Sequence, residues 1–236
     1  MLKEALQYLV SLKENKVYDL DGETYSDHPL HRIRAEFDRP DLLEVNGLDS
    51  IVKLLQTEGY NTPIFIRVQG PRRVDVFSTL DERLGRDFLY RASCDAPEFH
   101  PGWMDHEHTI IALRSMFVPN EDGTEYLLDL LSRISKDDGV QTDDNGVSQT
   151  VTARSGVSLK KFEVVKQRIP LAPFRTFTEV DQPTSEFILR LDDNCLIGLL
   201  EADGGAWKME AKRNIRAYFE DHLSKEIADG KVVVML

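Results

Sequence analysis

Apolar residues return at helical spacing in five stretches of the chain. Residues 1–14 place Leu2, Leu6, Leu9 and Val10 on one face, and residues 48–58 do the same with Ile51, Leu54 and Leu55 before Gly59. Residues 107–117 carry Ile110, Ile111 and Leu113, and residues 124–134 carry Leu127, Leu128 and Leu131; Pro119 and Gly123 punctuate the gap. The last stretch, 206–226, repeats Trp207, Ala211, Ile215, Tyr218, Phe219 and His222 behind Asp203-Gly204-Gly205.

Elsewhere the period is two. Ile64, Ile66 and Val68 alternate in residues 63–69, Gly70-Pro71 turns the chain, and residues 74–79 and 87–94 continue as strands. Residues 147–154 alternate, 160–169 are rich in strand formers, and 187–191 with 195–201 form a hairpin across Asp192-Asp193-Asn194. Residues 17–46 show no firm period and read as irregular strand or as an arm. Five apolar residues, Val232 to Leu236, predict an edge strand or a segment docked on a partner subunit.

These patterns predict an α+β fold in which antiparallel sheets, a meander over 63–94 and hairpins over 147–201, pack with amphipathic helices. There is no internal repeat and no low-complexity linker. An N-terminal helix and arm over 1–46 therefore precede one interwoven α+β domain over 47–236.

Charge changes the picture most. The chain has a formal net charge of −12, which repels a phosphate backbone and disfavours direct DNA binding. Arg72-Arg73, Lys160-Lys161 and the stretch from Lys208 to Arg216 are short basic patches that solvated faces also explain. An acidic surface suits a basic protein partner instead. No window reaches the length of a membrane span, and the N-terminus lacks a signal-peptide core, so a cytoplasmic protein is expected. Cys94 and Cys195 are too isolated for a disulfide framework or a metal motif.

Candidate chemistry is sparse. His100, Asp105, His106 and His108 crowd together as weak metal candidates, but on a helix His106 and His108 diverge, and Asp105 is better placed as an N-cap. Asp143, Asp144, Asn145 and Gly146 begin like a calcium loop that is not completed, and a turn launching a strand explains them. Gly204 and Gly205 open a helix, yet no phosphate-loop or dinucleotide fingerprint is present. No nucleophile elbow, kinase or β-lactamase signature exists and neither cysteine has a histidine near it in sequence, so neither catalytic residues nor a cofactor are expected; a triad assembled in space stays open. Arg175, held between Phe174 and Phe177 and followed by Glu179 and Asp181, predicts either a buried ion pair or an anion contact. The candidate ligand residues are Phe174, Arg175, Phe177, Gly204, Gly205, Trp207 and Lys208.

The blocks DDNGVSQTVTARSGV, PLAPFRTFTEVDQPTSEFILRL and LLEADGGAWKMEAKRNI resemble the YfdQ-like family of phage and prophage proteins, over about residues 60–225. The resemblance implies a phage-encoded protein in the cytoplasm of an infected bacterium and carries over no catalytic residue. Three roles are consistent with it. One is a non-enzymatic, self-associating accessory protein acting on host or phage proteins or a small ligand. Another is an anti-defence protein that sequesters a nucleotide signal or inhibits a host defence effector, and a third is an accessory factor in phage DNA recombination or replication.

Overall fold

A computed structural model of the chain describes residues 40–236 apart from 82–83, 134–138, 145–148, 156–157 and 193–195, together with Lys3, Tyr8, Val17–Leu20 and Glu23–Ser26; over 139–164 it describes backbone alone. The chain divides into Met1–Arg39 and Pro40–Leu236. In the first unit, β1 (Val17–Leu20) and β2 (Glu23–Ser26) pair antiparallel. The helix expected over 1–14 lies almost wholly outside the described residues.

The second unit is α+β and contains two main sheets. The meander is present as β4 (Ile64–Gly70), β5 (Arg73–Ser78) and β6 (Phe88–Ser93), and β3 (Leu43–Val45) adds to it parallel to β6. The apolar C-terminal run forms β14 (Val232–Met235), an edge strand parallel to β4 of its own chain. One face of this sheet buries Ile64, Ile66, Val68, Val74, Val76, Tyr90 and Val232 with α1 (Leu48–Thr57) and α4 (Trp207–His222). Each such side chain contributes ~1.5–3 kcal/mol by leaving water. In α4 the inward positions are Ala211, Ile215 and Phe219, one residue per turn. The helix expected over 206–226 breaks at buried Leu223, which leaves helical backbone angles before α5 (Ser224–Ala228) turns the chain back toward β14.

The second main sheet has the order β11–β12–β13–β7, all antiparallel: β11 (Arg168–Leu171), β12 (Ser185–Leu191), β13 (Ile197–Glu201) and β7 (Gly102–Met104). It packs on α2 (His106–Ser115) and α3 (Tyr126–Arg133), and Phe99, Leu113, Phe117, Leu127, Leu131, Leu171, Phe187 and Leu199 are in its core. Pro119 lies in the non-helical stretch between α2 and α3, as expected, but Gly123 does not lie in a loop before α3. A π-helical turn, Glu121–Glu125, runs directly into it, and Asn120 caps that turn by accepting from the N–H groups of Gly123 at 2.6 Å and Thr124 at 3.1 Å.

A third sheet, β10–β9–β8, is an antiparallel meander of β8 (Gly139–Asp144), β9 (Gln149–Ser155) and β10 (Ser158–Val165). Asp143 and Asp144 are therefore strand residues and not part of a turn; Asn145, Gly146, Asp193, Asn194 and Cys195 lie outside the described residues. The run 160–169, rich in strand formers, supplies the end of β10, to Val165, and the start of β11, from Arg168. The chain leaves the five-stranded sheet after β6, builds the four-stranded one, and returns through α4 to β14. Among the described residues no helix is long and apolar enough to cross a membrane.

A single carboxylate organises the charged part of the five-stranded sheet. Asp75 is fully buried on β5 and meets Arg67 at 3.0 Å, Arg73 at 3.1 Å and Arg91 at 2.9 Å. Burial alone would raise its carboxyl, but the three guanidinium groups outweigh burial and hold it below the ordinary 3.8. A carboxylate held down in the folded chain contributes stability that is fully present above the ordinary value and is lost as pH falls through the folded one. Urea midpoints are therefore expected to fall steeply below about pH 4, and Asp75→Asn to flatten that fall. Parallel profiles for the two proteins would show that Asp75 is not a source of the pH dependence.

Candidate functional site

The loop between β11 and β12, residues 172–184, is where the sequence blocks acquire a physical meaning. Gln182 staples the loop: its side-chain oxygen accepts from the N–H of Arg175 at 3.0 Å and of Thr176 at 3.2 Å, while its amide donates to the carbonyls of Phe177 at 2.9 Å and Val180 at 3.2 Å. Each neighbour then reaches a different element. Thr176 donates to the Pro71 carbonyl at 2.5 Å, in the turn between β4 and β5. Phe177, 1% exposed, fills the core of the five-stranded sheet, and Glu179 accepts from the N–H of Leu48 at 2.7 Å to cap α1. The loop thus joins the two main sheets.

Arg175 points the other way and is buried. It pairs with Glu201 on β13 and donates to the Ser185 hydroxyl and, at 3.0 Å, to the Pro183 carbonyl. Its guanidinium lies over the Trp207 ring, 4.0 Å from the centroid. A buried ion pair is therefore present, but the acids that follow Arg175 in sequence do not make it. The carboxylate comes from Glu201, and only one guanidinium nitrogen reaches it. Burial lowers the guanidinium's pKa, although Glu201, Asp203 and Glu210 all pull it upward.

Asp203 completes the junction. Gly204 at φ +63 and Gly205 at φ +81 take left-handed backbone, which glycine adopts without strain and which turns β13 into α4. This lets the Asp203 carboxylate accept from the Gly205 N–H at 2.9 Å, the Trp207 N–H at 3.3 Å and the Ser185 hydroxyl at 2.6 Å. Burial would raise its carboxyl, yet these donors and Arg175 hold it below the ordinary value. The N-terminus of α4 is thus filled by the chain's own anion.

Beside this junction lies a cavity of about 490 Å³, within the size range of small-ligand pockets. Pro71, Pro101, Pro173, Phe99 and Phe187 line it as apolar wall. Its charged lining is Arg72, Arg73, Arg175 and Lys208 against Glu98 and Glu201, four cations to two carboxylates in a chain of net charge −12. Arg73 and Arg175 have acid partners, whereas among the described residues Arg72 donates only to the carbonyls of Cys94 at 3.0 Å and Ala96 at 2.6 Å. Lys208 is exposed and makes no ion pair among the described residues, its ammonium 5.8 Å from the Trp207 ring centroid. Three buried donors on this lining have no hydrogen-bond partner among the described residues: Nη1 of Arg72, Nε of Arg175 and the indole Nε1 of Trp207. Buried donors of that kind are rare, and three of them on one cavity lining favour a ligand that brings acceptors.

Of the seven candidate ligand residues, Arg175, Trp207 and Lys208 line this cavity. Phe174 is half-buried and ties its N–H to the Met116 carbonyl at 2.8 Å, Phe177 is core, and Gly204 and Gly205 form the turn. The four metal candidates are not brought together. His106 hydrogen-bonds the Leu131 carbonyl at 2.8 Å, His108 folds back on Asp105 at 2.6 Å, and His100 sits on the cavity lining. Asp105 is the expected N-cap, accepting from the His108 N–H at 2.8 Å. Sequence reasoning missed Arg72, Phe99, Glu98 and the three prolines as lining. The only signal was the Arg72-Arg73 pair at a turn, which nothing local links to Arg175.

Comparison of the chain with family models, curated proteins and solved structures gave no match.

Proposed function

We propose that this protein is a non-enzymatic binding protein that takes a small anionic ligand with a flat ring, of the nucleotide class, in the cavity between its two main sheets. The observation that carries the proposal is the pair Arg72 and Lys208. Among the described residues neither has a carboxylate partner, and both line the cavity that holds Trp207, whose indole N–H has no partner among them either. Phosphate oxygens would supply the missing acceptors, and a ring would be received by Trp207, Phe99 and the proline walls. In the phage setting that the resemblance implies, such a protein would act as a cytoplasmic accessory, sequestering a nucleotide signal of the host.

Thermal unfolding tests this against AMP, cyclic AMP, a cyclic dinucleotide and inorganic phosphate. A ligand present at about a hundredfold its Kd adds about 2.7 kcal/mol, which raises Tm by roughly 5–10 °C for a chain of this size. At least one nucleotide is expected to give such a shift and to be recovered chemically unchanged, and Lys208→Ala is expected to shrink the shift. No shift with any of the four, or a shift untouched by Lys208→Ala, would count against the proposal.

A further inference from the structure

Among the described residues of the second unit, the helices α1 and α4 cover one face of the five-stranded sheet. The strand register builds the other face as two rows. Val233, Phe65, Phe77 and Phe88 line up across four strands, and next to them Met235, Arg67, Asp75, Arg91 and Glu44 line up across all five. Phe65 and Phe77 stack at 5.7 Å, and Phe88 follows 5.8 Å from Phe77. Arg86, on the preceding loop, lays its guanidinium 5.1 Å from the Phe65 centroid and 5.3 Å from that of Phe77. The row is open to solvent at its two ends, with Phe88 44% and Val233 39% exposed, while Phe65 is half-buried and Phe77 is buried.

The charge of this face is opposite to that of the chain. Among the described residues of the two rows and the adjoining Arg73 and Arg86, four cations, Arg67, Arg73, Arg86 and Arg91, stand against two carboxylates, Asp75 and Glu44. Three of the arginines share the one buried Asp75, which fixes their positions and leaves the surplus charge at the surface. Rings and guanidinium planes side by side on an open sheet make a stacking platform for bases, and the surplus cations suit a phosphate backbone. An acidic protein segment would satisfy the charge but would leave the ring row without a flat partner.

We propose that this outer face binds single-stranded nucleic acid, with bases stacked at Phe65, Phe88 and Arg86 and phosphates at Arg67, Arg73 and Arg91. The inference goes beyond the cavity ligand and does not depend on it; only Arg73 belongs to both surfaces. Local charge overrides the expectation drawn from net charge, because the arginines come from three strands and a loop that are separated in sequence.

Fluorescence anisotropy of the full chain with labelled 12-nucleotide oligo-dT and oligo-U, at low and moderate salt, tests it. Binding of at least one strand is expected, with log K falling against log salt at a slope of about −1.4 to −2.8 for two to four phosphates. Phe88→Ala and Arg86→Ala alter exposed side chains, and each is expected to weaken binding by about tenfold while the urea midpoint confirms folding. Three outcomes would overturn the proposal: no binding of either strand at low salt, binding unmoved by both substitutions, or displacement of the strand by polyglutamate at equal charge. The last would assign the face to an acidic protein instead.

Discussion

Arg175→Ala is expected to cost about 3–5 kcal/mol of stability, the range for removing one partner of a buried ion pair. The substitution leaves the Glu201 carboxylate without its cation. It also removes the donors to Ser185 and to the Pro183 carbonyl, and uncovers one face of Trp207. Asp203 loses a stabilising positive charge as well, so the start of α4 is expected to loosen. Urea unfolding followed by tryptophan fluorescence would report both effects. Arg175→Met, which keeps most of the packing volume, is expected to cost nearly as much, because the uncompensated carboxylate stays. A loss under about 1 kcal/mol for both variants would mean that Glu201 is already solvated.

The second large effect is expected at Gly123. A Cβ at this position would overlap the Pro170 backbone carbonyl and Asn120 Oδ1, with Leu171 Cδ2 3.0 Å away. The carbonyl belongs to β11, so neither a rotamer change nor a small side-chain shift relieves the overlap. Gly123→Ala is therefore expected to lose roughly 3 kcal/mol or more, at or above the upper end for overpacking. Gly59→Ala is the control, since its Cβ meets nothing within 4 Å, and it should stay within about 1 kcal/mol of the native chain. Equal midpoints for the two variants would show that the π-helical turn can move away from β11.

Gly123 also shows where sequence pattern misleads. A glycine between two apolar periods reads as a loop, yet here it sits inside a helical turn because the turn must approach a strand. The meander, the hairpin of β12 and β13, and α1 were legible because their apolar periods are local and one face of each is buried. The three-residue strands β3 and β7 were not, because three residues carry no period. Residues 102–104 were read only as neighbours of a histidine cluster, and their role as a strand depends on pairing with β13, far along the chain.

The candidate site was legible only in its second half. Arg175, Trp207 and Lys208 were singled out from aromatic and glycine neighbours, and their convergence on one cavity follows from Asp203 turning β13 into α4. Phe177 looked like a stacking partner for the same reason Phe174 did, but successive positions in an extended loop face different elements. Arg72 had no signature beyond being basic. Its importance comes from two carbonyl contacts that use up one side of its guanidinium and leave Nη1 without a partner among the described residues. The arginine face of the sheet was invisible for a related reason: net charge averages over the very residues that strand register gathers together.

The chain has two tryptophans, and this makes one measurement especially direct. Trp207 lines the cavity with a buried indole N–H that has no partner among the described residues, whereas Trp103 sits 52% exposed on β7, away from the cavity lining. A proton–nitrogen NMR titration of the labelled chain with AMP and with a cyclic dinucleotide therefore contains its own reference. If the cavity binds a nucleotide, the Trp207 indole and Arg175 Nε resonances shift as their N–H groups gain acceptors, while the Trp103 indole stays in place. Saturating nucleotide that leaves both indole signals unmoved, or that shifts Trp103 and not Trp207, would contradict a ligand site between the two sheets.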